Sequence, residues 1–186
     1  MSLFGKTAKE LVYDLLVSKN PLLAEKNVTI DKLIFATPSH IGGTDETPEE
    51  KYGRLNTSLK VSGDTDKNVI GDVQLTYRRI FLDHLFDGMV LSVDGTGATT
   101  TLDLLPKITT KYGIVIQPSE VKSQPVSGSK ATVTMNGSSL AWIGNFDVFL
   151  TDMPADTTDL TAMAKVTQLE GLVYSLDGIG SDTPTE

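Results

Sequence analysis

Apolar residues along the first twenty positions recur at helical spacing. Leu11, Val12, Leu15 and Leu16 share one stripe, which predicts a helix beginning near Thr7. Thr7-Ala8-Lys9-Glu10 has the spacing of a capping box, in which side chain and backbone satisfy each other's free donors. Asn20-Pro21 ends the pattern, because proline disfavours a helical residue before it and lacks the N–H that would continue the ladder. A helix this short is marginal alone and must bury its stripe, so Leu15→Asp is expected to disrupt folding or assembly.

From Val28 the period changes. Val28-Thr29-Ile30 and Leu33-Ile34-Phe35 read as strand before Thr37-Pro38 breaks them, and Ser39 to Gly53, rich in Gly, Thr, Pro and Glu, reads as a long exposed loop suited to a partner. Thr57 to Val61 and Val73 to Arg79 alternate and predict a β-hairpin with a long tip. Ile80 to Phe86 is too apolar for a surface loop and fits either a strand end or a short buried helix. Met89 to Val93 predicts another strand. A second helix follows over about 102–112, with Pro106 in its first turn and Gly113 at its C-terminal cap, and then a short buried strand at Ile114 to Ile116. Ala131 to Met135 alternates into Asn136-Gly137, the dipeptide of a type I′ hairpin turn, and the return strand runs through Trp142, a kink at Gly144-Asn145, and Phe146 to Leu150. Leu160, Met163 and Val166 allow a weak helix or an extended arm, and Gly171 to Leu176 a final edge strand.

These segregated elements predict an α+β fold, with antiparallel β-sheets in a sandwich-like arrangement, an N-terminal amphipathic helix and a second helix around 102–112. The expected division is an N-terminal helical arm over 1–27, a core domain over 28–176 and a flexible acidic tail over 177–186. No internal repeat of fixed period is visible.

Composition narrows the function. A chain of 186 residues can bury about 70% of its unfolded surface without a metal or disulfide staple. The 39% hydrophobic content argues against wholesale disorder. Twenty-four acidic against 16 basic residues give a net charge of −8, which repels nucleic-acid phosphates and anionic lipid headgroups, so neither nucleic acid nor membrane is an expected partner. The absence of cysteine removes thiolate chemistry and disulfides and suits a reducing cytoplasm. No apolar run approaches the ~20 residues that span a bilayer, and the first residues lack the apolar core of a secretory signal.

Candidate chemistry is sparse. Gly5-Lys6-Thr7 imitates the end of a phosphate-binding loop but lacks the earlier glycine, so the lysine reads as a solvated residue before a helix cap. Asp64-Thr65-Asp66-Lys67-Asn68 resembles the start of a calcium loop, yet the sixth and twelfth places hold Val69 and Leu75 in place of glycine and glutamate; polar turn residues explain it as well. His40 and His84 have no metal-ligand spacing, and no Gly-x-Ser-x-Gly elbow is present. Asp94-Gly95-Thr96-Gly97 is either an anion-binding nest or a plain connector. Trp142, Tyr77, Phe81, Phe86, Phe146 and Phe149 fit core packing better than a ligand pocket. Arg78-Arg79 places one arginine on each strand face, for an interface anchor or a surface salt bridge. We therefore expect no catalytic, cofactor-binding or metal site, and no enzyme.

Thr101-Leu102-Asp103-Leu104-Leu105-Pro106, the helix end at Tyr112-Gly113-Ile114 and the hairpin from Ala131 to Leu150 together resemble domains of virion structural proteins of large tailed bacteriophages. That resemblance implies a non-enzymatic subunit of tail, baseplate, neck or capsid surface. Such a subunit is made in the host cytoplasm, resides in the virion, and docks on other virion structural proteins and on copies of itself. The alternative class is a carbohydrate- or receptor-binding module whose exposed aromatics stack on a sugar; an enzyme of unrecognised class ranks third.

Overall fold

The computed structural model describes residues 3–42, 52–153, 157–158 and 160–164. Helix α1 (Ala8–Lys19) starts where the capping box requires: the Thr7 N–H donates to Glu10 Oε2 at 2.7 Å, and Thr7 Oγ1 accepts from the Glu10 N–H at 3.3 Å. At its other end Asn20 Nδ2 donates to the Leu16 carbonyl at 2.9 Å, which satisfies a carbonyl the ladder leaves open before Pro21. One further turn, α2 (Leu22–Glu25), follows.

The expected hairpin forms. β3 (Thr57–Gly63) lies at the centre of an antiparallel sheet, with β4 (Asp72–Tyr77) on one side and β1 (Leu33–Phe35) and β2 (Ser39–His40) sharing the other. Leu59 stands opposite Leu75 and Val61 opposite Val73 on one face, where Leu59, Val61 and Leu75 join Val12 and Leu16 of α1. At the tip a Cβ on Gly63 would come within 2.6 Å of the Val69 carbonyl, so only glycine permits that approach. The strand expected from Val28 starts later, because Ile30–Lys32 closes into a 3-10 turn.

Ile80 to Phe86 is both of its expected alternatives in succession, β5 (Ile80–Phe81) and then α3 (Leu82–Leu85). β6 (Lys130–Thr134) pairs antiparallel with β8 (Asn145–Phe149), while β7 (Trp142–Ile143) lies parallel to β5. The tight turn expected at Asn136-Gly137 is therefore absent: Thr134 pairs with Asn145, and residues 135–144 form a long connection. The pull on this connection is nonlocal, since Trp142 is fully buried beside Ile80. Asn136 stabilises a local turn instead, its Oδ1 accepting from the Ser138 N–H at 3.0 Å.

The second helix appears as a 3-10 turn, Thr101–Leu104, continuing into α4 (Leu105–Tyr112), with Pro106 in the first turn and Gly113 in the left-handed region at φ 69°. Ile114 and Ile116 are buried as expected but form no strand. Met89 to Val93 likewise makes only isolated bridges, to Thr158 and Phe149. The Tyr112 hydroxyl accepts from the Ser92 N–H and donates to the Ser92 carbonyl, the two groups that a neighbouring strand would otherwise engage.

Two hydrophobic clusters result. The larger gathers Leu82, Leu91, Leu104, Ile108, Val133, Trp142 and Val148; the smaller gathers Val12, Leu16, Leu33, Leu59, Val61 and Tyr77. The helix expected to lie in an N-terminal arm gives Ala8 and Leu11 to the first cluster and Val12 and Leu16 to the second. The fold is α+β, and no helix among the described residues is long and apolar enough to cross a membrane.

The cap of the second helix has a measurable consequence. Asp103 Oδ2 accepts from the Thr100 N–H at 2.8 Å and the Thr99 N–H at 2.9 Å, and these backbone donors, with both threonine hydroxyls, hold its carboxyl down at about 2. A depressed folded pKa stabilises fully above the unfolded carboxylate value of about 3.9, and the contribution is lost as pH falls toward 2. Asp103→Asn should thus destabilise at pH 7 and differ less from wild type near pH 2.5. Equal gaps in denaturant midpoint at the two pH values would count against this assignment.

Candidate docking site

The ladder between β3 and β4 fixes which backbone groups of β4 are used. The Gly63 N–H donates to the Gly71 carbonyl at 2.8 Å just beyond the paired residues, so the hydrogen-bonded positions alternate through Val73, Leu75 and Tyr77. The N–H and carbonyl groups of Gln74 and Thr76 consequently point away from β3, along an edge that no other strand among the described residues covers.

Beside this edge runs a cavity of about 600 Å³ between α1 and β4. Its apolar lining comes from Leu3, Leu11, Leu15, Leu55, Tyr77 and Ile80. A smaller one of about 210 Å³ shares Val12, Leu15, Lys19, Thr76 and Tyr77 with it and extends it toward Leu75 and Asn20. Leu15 is half-buried, facing this groove, while Leu11, Val12 and Leu16 carry the buried stripe. Leu55 remains 55% exposed. The charged residues of the lining are Lys19 and Arg78, both cationic, in a chain of net charge −8. Arg78 Nη1 donates to the Tyr52 and Gly53 carbonyls at 3.1 and 3.2 Å, which holds the guanidinium at the groove rim.

Arg78 and Arg79 do face opposite ways, but Arg79 lies in the interior and makes no salt bridge among the described residues. It is 3% exposed; Nε donates to Thr57 Oγ1 at 2.8 Å and Nη1 to the Ser139 and Gly137 carbonyls at 3.0 and 3.2 Å. Burial pushes its pKa down. Tyr77 donates from its hydroxyl to the Leu140 carbonyl at 2.6 Å and is pushed up to about 12 by burial. Both side chains tie the first sheet to the long connection after β6.

The remaining sequence candidates are occupied structurally. Lys6 pairs with Asp14. Asp64 Oδ1 accepts from the Asp66 N–H at 3.1 Å, and Lys67 lies between Asp31 and Asp64. The Asp94 and Thr96 carbonyls accept from Lys107 Nζ at 2.6 and 2.9 Å, so that segment offers acceptors to a cation. His40 is exposed on β2, and His84 stacks on Tyr52 with ring centroids 4.3 Å apart. Among the described residues no group of three His, Asp or Glu side chains is placed to hold a metal. Trp142, Phe146, Phe86 and Tyr77 are buried in the core. The stretch from Ser39 to Gly53, expected as a loop throughout, begins instead with β2 at Ser39 and His40, paired with β3; its positions 43–51 lie outside the described residues, as do Gly171 to Leu176 and the tail over 177–186.

Sequence reasoning did not find the groove, because its walls come from segments far apart in the chain. The available signal was on β4 itself: Gln74 and Thr76 carry none of the charge or proline that usually protects an edge.

The chain belongs to a family of unknown function (DUF7941), whose model matches residues 1–186. No curated protein and no solved structure matches it.

Proposed function

We propose that this member of DUF7941 is a non-enzymatic structural subunit that works by docking on other protein chains, in the virion of a tailed phage. The observation that carries the docking part is the β4 edge, uncovered among the described residues, beside an apolar groove of about 600 Å³. Unpaired backbone groups next to apolar side chains are a costly surface to leave in water and a favourable one to cover with another chain. The virion assignment rests on the resemblance carried by residues 101–106, 112–114 and 131–150, and implies partners among other virion structural proteins and copies of the chain itself.

The carbohydrate-binding alternative loses its main support, because Trp142, the chain's single tryptophan, is fully buried and offers no face to a sugar ring. Intrinsic fluorescence should accordingly be blue-shifted and barely quenched by iodide; strong quenching would revive that alternative.

Mass spectrometry of purified virions from the source tests the assignment, with the chain expected at a stoichiometry of many copies per particle. Its absence from intact particles, with the chain present in the infected-cell lysate, would remove the structural role.

A further inference from the structure

We infer that the β4 edge is a strand-addition site, at which an extended segment of a partner protein pairs with Gln74 and Thr76 and inserts alternate apolar side chains into the groove against α1. The inference rests on the docking reading only in requiring a protein partner. Virion content and edge pairing are tested separately, so either can fail alone.

Three observations converge on one ligand chemistry. The outward N–H and carbonyl groups of Gln74 and Thr76 offer main-chain hydrogen bonds with the spacing of a strand. The two sides of such an added strand would meet different surroundings: Leu11, Leu15 and Leu55 in the groove, and Ser58, Gln74 and Thr76 on the polar outer face. An added strand therefore needs apolar residues alternating with polar ones. Lys19 and Arg78 at the groove then call for a carboxylate on the incoming segment. Lys19 has an exposed side chain and no acidic partner among the described residues.

A second copy pairing β4 with β4 fits less well. The one acidic residue of that strand, Asp72, is already held by Lys60 at 2.8 Å, so self-pairing brings no free carboxylate to Lys19 and Arg78. The occupant we assign is an acidic-flanked strand from another protein; pairing by a segment of this chain, such as Gly171 to Leu176 between Glu170 and Asp177, would instead leave the added peptide without saturable binding.

The test uses the full chain and a fluorescein-labelled synthetic peptide of about nine residues, enough to pair along the 6 residues of β4 at ~3.3 Å per residue and to carry charges beyond both ends. Leucine and valine alternate with threonine in it, and glutamate stands at both ends. Anisotropy should show saturable binding that weakens at least tenfold for Thr76→Pro, whose missing N–H is on the outward side and costs the β3–β4 ladder no bond. The same loss is expected for a peptide N-methylated at alternate positions. Lys19→Glu, at an exposed position and with its fold checked by circular dichroism, should weaken binding several-fold at low salt, and this readout does not depend on how the proline variant folds. Unchanged affinity in folded Thr76→Pro, unchanged affinity in Lys19→Glu, or no saturable binding at millimolar peptide would each overturn the inference. So would wild-type self-association abolished by Thr76→Pro, which would assign the edge to a second copy.

Discussion

Arg79→Met is expected to lower the stability of the fold by about 2–4 kcal/mol, because it removes three hydrogen bonds, two of them to the buried Thr57 Oγ1 and Ser139 carbonyl. Methionine keeps much of the stem's volume, so packing alone would cost less than about 1.5 kcal/mol. The guanidinium has no carboxylate partner among the described residues and gives up hydration to sit where it does. Its removal returns that desolvation cost, which limits the loss. It cannot return the hydrogen bonds to Thr57 Oγ1 and to the Gly137 and Ser139 carbonyls: Gly137 is exposed and the Thr57 hydroxyl still donates to Asn56 Oδ1 at 2.7 Å, but the buried Ser139 carbonyl loses its partner, and such a group costs about 1–3 kcal/mol. Lysine at this position has no planar fork to bridge Thr57 and two carbonyls at once, so Arg79→Lys should recover only part of the loss. Urea denaturation followed by circular dichroism measures both variants. A midpoint for Arg79→Met within error of wild type would show that the network contributes nothing net.

The same network links the two hydrophobic clusters. Asn56 Nδ2 donates to the Arg79 carbonyl at 3.0 Å, and Asn56 Oδ1 accepts from the Arg79 N–H at 2.8 Å, so the chain leaving β4 is clamped to the start of β3. Arg79 and Tyr77 then reach across to residues 137–140, and Ser139 Oγ accepts from the Trp142 N–H at 3.1 Å. Polar side chains from the smaller cluster's sheet thereby fix the segment that delivers Trp142 into the larger cluster.

Legibility in the sequence follows the range of the interactions. The cap and stripe of α1 depend on residues within a few positions of one another, and Thr7, Glu10, Leu11, Val12 and Leu16 act as their spacing implies. The β3–β4 hairpin is similarly local, its alternation matching its register. Asn136-Gly137 carries an equally local signal that the fold does not follow, since a tight hairpin would keep Trp142 against β6, whereas its indole is buried in the core while its backbone pairs with Ile80. Ile114 and Ile116 advertise burial, and burial is what they have, but their neighbours are side chains rather than a paired strand. The facing of Arg78 and Arg79 was readable from alternation, but the carbonyls that hold Arg79, some sixty residues further on, were not. The groove is harder still, because Leu3, Leu15, Leu55 and Tyr77 share no pattern until the sheet and α1 are assembled.

Trp142→Ala should carry the largest stability loss of any single truncation in the chain, about 3–5 kcal/mol. The side chain is 0% exposed in the larger cluster, and its backbone forms half of the two-residue parallel pairing with β5. Truncation removes the apolar contacts of the ring system and leaves a cavity in a cluster whose members, Leu82, Val133 and Val148 among them, are themselves fully buried and have little freedom to close it. Domains of ordinary stability hold roughly 5–15 kcal/mol in total, so the variant should sit near its unfolding threshold at 25 °C. Trp142→Phe separates volume from chemistry. The indole Nε1 is buried without a hydrogen-bond partner among the described residues, so phenylalanine gives up ring volume but no hydrogen bond, and its cost should be well under half that of alanine. Far-ultraviolet circular dichroism during guanidinium unfolding follows all three chains without relying on tryptophan emission. If alanine shifted the midpoint no further than phenylalanine does, the ring could not be the packed centre of the larger cluster.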